Sequence, residues 1–435
     1  MDIYNLISFT GIFILLTFAW ILSSDKKNMN FRVIGWGITM QLIIGLFIFV
    51  IPAGAKVFLV VNDLAVKVLD SASSGAKFVF GPLALAPGQV SESGEKSIGF
   101  ILAFQAFPTI IFFSALVAIL YYFGIMSRLI SAFAWIFTKL MRVSGAESLV
   151  TAANIFMGIE SNLTVKPYLN RMTRSEYCTI MTAGMATVAS NVLALYVLSL
   201  QEVFPKIAGH LVSASLLSAP AALVMSKIII PEGEKPETLG TQIKPFYEKE
   251  NSFFEAIING ANTGVKMIAG IAALLIAVLG LVALVDVILS GLGAKLNPIF
   301  GLEGQWSLKA FCGYIFYPFT IILGIPLSDA GAVSRIIGER IIVTEVASYT
   351  DLSSAIQNNL FHNERSVVIT SYALCGFAHL ASMAIFAGGI CALAPEKIRH
   401  ISSVAVRALI AATLACLQTA CVAGTFYTEG SILFG

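Results

Sequence analysis

Glu160, Asp329 and Glu345 sit within long apolar stretches of the chain, where an ionised side chain near a bilayer centre costs about 2.5–3.5 kcal/mol on insertion scales. Such a cost demands a compensating role. An ionised carboxylate only accepts hydrogen bonds, so two or three of them can hold vicinal hydroxyls of a sugar while repelling anions. The alternative is structural pairing with Lys166, Arg335 or Arg340. Ser161 and Asn162 follow Glu160 directly and extend the polar set. In the second half, His379 and Ser382 stand about one helical turn apart; such a histidine is either a satisfied core residue or, since it titrates near neutral pH, a candidate proton site. Asn154 and Thr187 offer hard oxygen atoms of the kind an alkali cation takes when freed backbone carbonyls join them.

The elements that must position these groups are membrane helices. The chain has 435 residues, 57% of them hydrophobic and only 12% charged, which excludes a soluble domain whose surface must meet water. A net charge of +2, from charges scattered along the chain, gives no footprint for a nucleic-acid partner. The six cysteines lie in or beside apolar runs without paired ligand spacing and read as core residues. The first apolar run, Tyr4 to Leu22, is too long for a signal-peptide core and is expected to remain as a span. The basic loop Asp25 to Arg32 places that side in the cytoplasm by the positive-inside rule. Two amphipathic stretches, Lys56 to Phe80 and Met126 to Val143, are expected to lie in the membrane interface. No Walker A motif, zinc-protease pair or nucleophile elbow is present, so no enzymatic or ATP-driven chemistry is expected.

Two heptapeptides organise the rest. Gly184-Met-Ala-Thr-Val-Ala-Ser190 and Gly376-Phe-Ala-His-Leu-Ala-Ser382 share the pattern Gly-x-Ala-x-x-Ala-Ser, one in each half, and put His379 opposite Thr187. Duplicated membrane units whose corresponding helices are interrupted by small and polar residues point to a secondary transporter with its site at the repeat interface. Each is preceded by a segment too polar for a lipid-facing span, Glu147 to Leu169 and Leu308 to Tyr349, expected to be re-entrant hairpins. The expected architecture is therefore an all-α polytopic membrane protein with inverted repeats. Residues 1–143 are read as scaffold and interfacial helices, 144–231 as the first transport repeat, 232–305 as a linker and scaffold span, and 306–435 as the second repeat.

Ser144-Gly-Ala-Glu-Ser148, Asn154-Ile-Phe156, Glu160, Pro167-Tyr-Leu169, Thr173-Arg-Ser-Glu176, Thr344-Glu-Val-Ala-Ser-Tyr349, Ala373-Leu-Cys-Gly-Phe-Ala378 and Ala420-Cys-Val-Ala-Gly424, in this order and over nearly the whole chain, resemble the concentrative nucleoside transporter family. The resemblance implies about eight transmembrane helices plus two re-entrant hairpins, assembly as a homotrimer in a plasma membrane, a bacterial inner membrane for so compact a chain, and nucleoside import by an elevator-like movement. The coupling ion would be sodium or a proton, with no other cofactor. Glu160 becomes the first-hairpin carboxylate at ribose, and Ser328 or Asp329 the second-hairpin position. Phe377, His379 and Ser382 fall where the family has the Phe, Asn and Ser of a binding helix, while Asn154, Thr187 and Val188 resemble its sodium-site segment. Gly158 and Ile159 stand in place of the family's Gln and Thr, with one residue fewer between Phe156 and Glu160, and Glu345 keeps the carboxylate of the second motif. Base-side hydrogen bonds are thus expected to be lost and sugar recognition kept. A passive facilitator or channel for nucleosides or related polar solutes is the alternative.

Overall fold

A computed structural model describes residues 2–86, 89–90, 94–246, 250–300, 304, 306–429 and 433. Parts of the Gly/Pro/Ser-rich loop before Lys96 and of the linker before Glu250 lie outside these residues. The described elements are helices: α1 (Ile3–Ile21), α2 (Phe31–Phe49), α3 (Pro52–Phe80), α4 (Leu102–Gln105), α5 (Phe107–Tyr122), α6 (Ile125–Met141), α7 (Gly145–Asn154), α8 (Arg174–Ala186), α9 (Ser190–Leu200), α10 (Ile207–Ile229), α11 (Phe253–Phe300), α12 (Leu308–Ile322), α13 (Leu327–Ile342), α14 (Glu345–Gln357), α15 (Glu364–Leu374), α16 (Leu380–Leu393) and α17 (Ile398–Phe426). A 3₁₀ segment, Ile159–Val165, follows α7.

Seven helical stretches among the described residues are long and apolar enough to cross a membrane. The apolar stretch from Val367 to Ala392 is present as α15 and α16, 11 and 14 residues long and each too short to cross alone. The break between them spans Cys375 to His379, and the corresponding break between α8 and α9 spans Thr187 to Ala189. The α15–α16 break overlaps its heptapeptide in all but Cys375, and the α8–α9 break falls inside its own. Gly376 takes φ +107°, a conformation open to a residue without Cβ. A side chain there would press on the Ala186 carbonyl, at the end of α8, so the two breaks cross directly. Gly184 is held against the Phe386 ring of α16.

The helices from α6 to α10 and from α12 to α17 follow one plan. In each, a helix precedes a hairpin, the hairpin precedes a broken helix, and an unbroken helix closes the unit. The first hairpin is α7 with the 3₁₀ segment. The second is α13 with α14, turning at Val343–Thr344, which corrects the expected range of Leu308 to Tyr349. The breakers Gly324 and Pro326, read as part of that hairpin, instead separate it from α12, the counterpart of α6. The returning arm α14 packs on α9 and the 3₁₀ arm on α16, so each hairpin serves the broken helix of the other repeat. The closing helices α10 and α17 pack against each other, with the Ser218 and Thr419 hydroxyls 3.2 Å apart.

Polar caps fix the hairpin bases. Ser144 and Glu147 form a capping box on α7, and Thr173 and Glu176 form another on α8. The Ser144 hydroxyl donates to Glu176 at 2.6 Å, and Lys227 of α10 closes the cluster by pairing with Glu147 and Glu232. At the base of the second repeat, Arg365 donates to the carbonyls of Tyr4, Gly324 and Gly424 and to Ser8 and Asn5, tying α1 and α17 to α15.

Candidate substrate and cation sites

The sequence of helix ends dictates what converges at the centre. Hairpins and broken helices bring four N-terminal ends to one place: the 3₁₀ segment at Ile159, α9 at Ser190, α14 at Glu345 and α16 at Leu380. Free N–H groups at such ends carry partial positive charge and stabilise an anion nearby. A cavity of about 310 Å³ lies there, lined on one side by Gly158, Ile159, Glu160, Thr344, Glu345, Phe377, His379 and Ser382. Its other wall is apolar, with Met267, Ile271, Leu274 and Leu275 of α11. Glu160 and Glu345 occupy matching places in the two repeats, each at the start of a hairpin's returning arm.

Glu345 is 4% exposed and faces two side chains. The Tyr196 hydroxyl donates to its Oε1 at 2.6 Å, and His379 Nε2 lies 2.8 Å from Oε2. His379 is the N-cap of α16: its Nδ1 accepts from the Ser382 backbone N–H, which places the proton of the neutral ring on Nε2. Nε2 also stands 2.7 Å from the Ser382 hydroxyl. The ring N–H is not aligned with Glu345 Oε2, which is left buried without a hydrogen-bond donor. A buried acceptor of this kind is costly until a ligand supplies the proton. Glu160 folds back beside Gly158 of its own turn and pairs with none of the proposed basic partners: Lys166 lies over the Phe246 ring.

Gly158, Ile159, Glu160, Glu345, Phe377, His379 and Ser382 are thus brought together. Ser161 and Asn162 are fully buried but stand outside the lining, because the tight 3₁₀ turn rotates them away from the Glu160 side. Ser328 and Asp329 are corrected more strongly. Asp329, the third residue of α13, accepts from the backbone N–H groups of His362 and Asn363, just ahead of α15, and from the Ser366 hydroxyl in its first turn at 2.6 Å, and Ser328 donates to it. Its counterpart is Glu147, the third residue of α7. Both bind hairpin base to neighbouring helix, far along the chain from the tips. Asp329→Asn is therefore expected to cost about 1–3 kcal/mol of stability through lost charge-assisted bonds, visible as a lower thermal midpoint, with the substrate KM unchanged. A KM rise of roughly tenfold, equivalent to about 1.4 kcal/mol of binding, would place Asp329 in the site after all.

Asn154, Thr187 and Val188 lie beside the cavity at a second convergence, where α7 and α8 end. The Ser215 hydroxyl of α10 donates to the carbonyl of Ile155 at 3.1 Å and lies 3.4 Å from that of Val188. The Thr187 hydroxyl donates to Ala183, leaving its lone pairs free. Asn154 donates through Nδ2 to Val150, while its Oδ1 is buried with no partner. Unmatched oxygen at two helix C-termini, where partial negative charge gathers, suits a hard monovalent cation. Tyr196 and Ser215 were missed from sequence. Tyr196 stands seven residues beyond Ala189 and four beyond Val192, on the helix face that lines the cavity, a detectable signal, whereas Ser215 is hidden in a helix rich in small residues throughout.

Residues 10–83 match the family model of the N-terminus of Na+ dependent nucleoside transporters, residues 103–202 that of a nucleoside-recognition gate, and residues 210–424 that of the Na+ dependent nucleoside transporter C-terminus. The chain is 37% identical to solute carrier family 28 member 3 of Mus musculus over 97% of its own length and 58% of the mouse protein; it spans little more than half of that relative. An uncharacterized transporter of Bacillus subtilis is 35% identical, with 96% of this chain and 98% of the relative covered. The structure of CNTnw in an inward-facing substrate-bound state superposes with a TM-score of 0.88 at 31% identity, covering 98% of both chains. A doubly substituted form of CNTnw in an outward-facing state matches equally well, with a TM-score of 0.88 at 31% identity, covering 98% of this chain and 99% of that one. These relatives are transporters, not enzymes. With its helical spans, crossed breaks and two hairpins, the chain is a multi-pass membrane protein that belongs to the concentrative nucleoside transporter family.

Proposed function

We propose that this protein imports nucleosides across a bacterial inner membrane, driven by sodium entering with the substrate. The observation that carries this reading is the pair of hairpin-tip carboxylates, Glu160 and Glu345, at one cavity whose polar side belongs to both repeats. Glu345 Oε2, lacking a donor, suits a ribose hydroxyl, and His379 Nε2–H and Ser382 can complete the bonds to a second one. Phe377 supplies an apolar face for the sugar ring. Where the resemblance to the family lapses, Gly158 and Ile159 offer the base no side-chain hydrogen bonds, so base choice rests on shape and stacking more than on edge recognition.

Sodium is cargo in this scheme, held by Asn154 Oδ1 with the Thr187 hydroxyl and the carbonyl of Val188. Its site abuts the 3₁₀ arm that carries Glu160, because the Ser190 N–H donates to the Phe156 carbonyl at 3.0 Å. The two ligands therefore read each other's occupancy through one stretch of backbone. Residues 144–231 and 306–435 would move together as the transport unit against residues 1–143 and α11, in an elevator-like step, within a homotrimer.

Uptake into proteoliposomes, with sodium and proton gradients imposed separately, tests the proposal. An inward sodium gradient is expected to concentrate a labelled nucleoside above its external level, and collapse of that gradient to release it. Equilibration without concentration under either gradient would make the protein a facilitator; concentration under the proton gradient alone would remove the coupling from Asn154 and its neighbours.

A further inference from the structure

The two repeats end their helices alike but balance them differently. In the first, α7 and α8 present C-terminal carbonyls to Ser215, a hydroxyl, and to the unmatched Asn154 Oδ1. In the second, α13 and α15 end at the corresponding place. The residue of α17 that answers to Ser215 is Cys416, because Ser218 meets Thr419 across the pseudo-two-fold axis and each counterpart lies three residues earlier. Cys416 Sγ donates to the carbonyl of Cys375, in the second break, at 2.7 Å, as the Ser215 hydroxyl does to that of Val188 in the first.

Where the first repeat has Asn154, on the last turn of the hairpin's leading arm, the second has Arg340. Arg340 is fully buried. Its Nη1 donates to the carbonyl of Ala373, in the last turn of α15, at 2.5 Å, while Nε and Nη2 have no hydrogen-bond partner. Among the described residues it forms no ion pair. The acidic neighbour on α13, Glu339, is taken by Lys309 instead. A buried guanidinium without a carboxylate is expensive, and here the compensation shown is the C-terminal end of α15, through the Ala373 carbonyl.

We propose that the Arg340 guanidinium is a tethered cation that fills the second repeat's counterpart of the sodium site, so that each protomer carries one sodium per nucleoside. The first repeat takes from solution the charge that the second builds in. Removing the guanidinium while leaving the Ala373 carbonyl and the helix ends would open a second site for a small monovalent cation. This rests on the assignment of sodium to Asn154 and its neighbours.

The test measures sodium and labelled uridine flux together in proteoliposomes for the wild type, Arg340→Lys, Arg340→Gln and Asn154→Ala, with thermal stability as the check on folding. The wild type and Arg340→Lys are expected to carry one sodium per uridine with a Hill coefficient near 1, and Arg340→Gln to shift towards about 2, with activity recovered only at higher sodium. Two sodium ions per uridine in the wild type overturns the inference and needs no variant to fold. So does an Arg340→Gln protein that transports with unchanged sodium dependence. Asn154→Ala separates the two ideas: if it keeps full sodium dependence, the first-repeat assignment has failed, whereas its loss beside an unchanged Arg340→Gln defeats only the tethered cation.

Discussion

Glu345→Gln is expected to reduce nucleoside uptake about 100-fold at substrate concentrations below KM. The carboxylate accepts from Tyr196 and leaves Oε2 for the substrate. An amide of the same shape puts one NH₂ donor where only acceptors are useful, facing either Tyr196 or the His379 N–H. Loss of a charged hydrogen bond is worth roughly 1.5–3 kcal/mol, and about 2.7 kcal/mol corresponds to 100-fold. Initial uptake rates, normalised to the amount of protein in the membrane, check this. A rate within threefold of the wild type would show that no substrate hydroxyl reaches Oε2.

Gly376→Ala is expected to cost roughly 2–6 kcal/mol of stability, combining a strained backbone at about 1–3 kcal/mol with overpacking of similar size. The position has φ +107°, and an added Cβ would lie 2.7 Å from the Ala186 carbonyl oxygen. That neighbour is backbone at the other break, so it cannot swing aside as a side-chain end can. The two breaks would be forced apart, and with them the cavity and the cation site. Gly388→Ala on α16 is the control, since nothing lies within 4 Å of its added Cβ and alanine favours the helix by about 1 kcal/mol. Thermal unfolding of both variants in detergent separates them; equal midpoints would mean that the breaks do not bear on each other as described.

The fold was legible where sequence repeats itself. The matching heptapeptides located both breaks, and composition gave the helical, membrane-embedded class. Carboxylate type and apolar context identified Glu160 and Glu345, but could not separate them from Asp329. That distinction depends on position along the hairpin: Asp329 sits at the third residue of the first arm, where a carboxylate holds the start of a neighbouring helix, and Glu345 at the first residue of the second. The hairpin boundary was misread because Gly324 and Pro326 are stronger breakers than the Val343–Thr344 pair at the tip. A tip stabilised by N-capping, with Thr344 accepting from Ala347, needs neither glycine nor proline. The sequence offers Arg340 only as one alternative partner for a carboxylate, and the structure gives it a carbonyl instead; no spacing rule reports a partner contributed by a freed helix end.

The apolar wall contributed by α11 has a kinetic meaning. Ile271, Leu274 and Leu275 line the cavity with nothing to donate or accept, and the Met267 sulfur is taken by Asn191 of α9, while the charged and hydroxyl groups of the lining belong to hairpins and broken helices. If those elements travel while α11 stands still, the solute rides with its hydrogen bonds intact and slips past a greasy bearing surface. The barrier to each passage is then set by rolling van der Waals contacts, small and evenly spread, so the path has low friction without any loosening of grip.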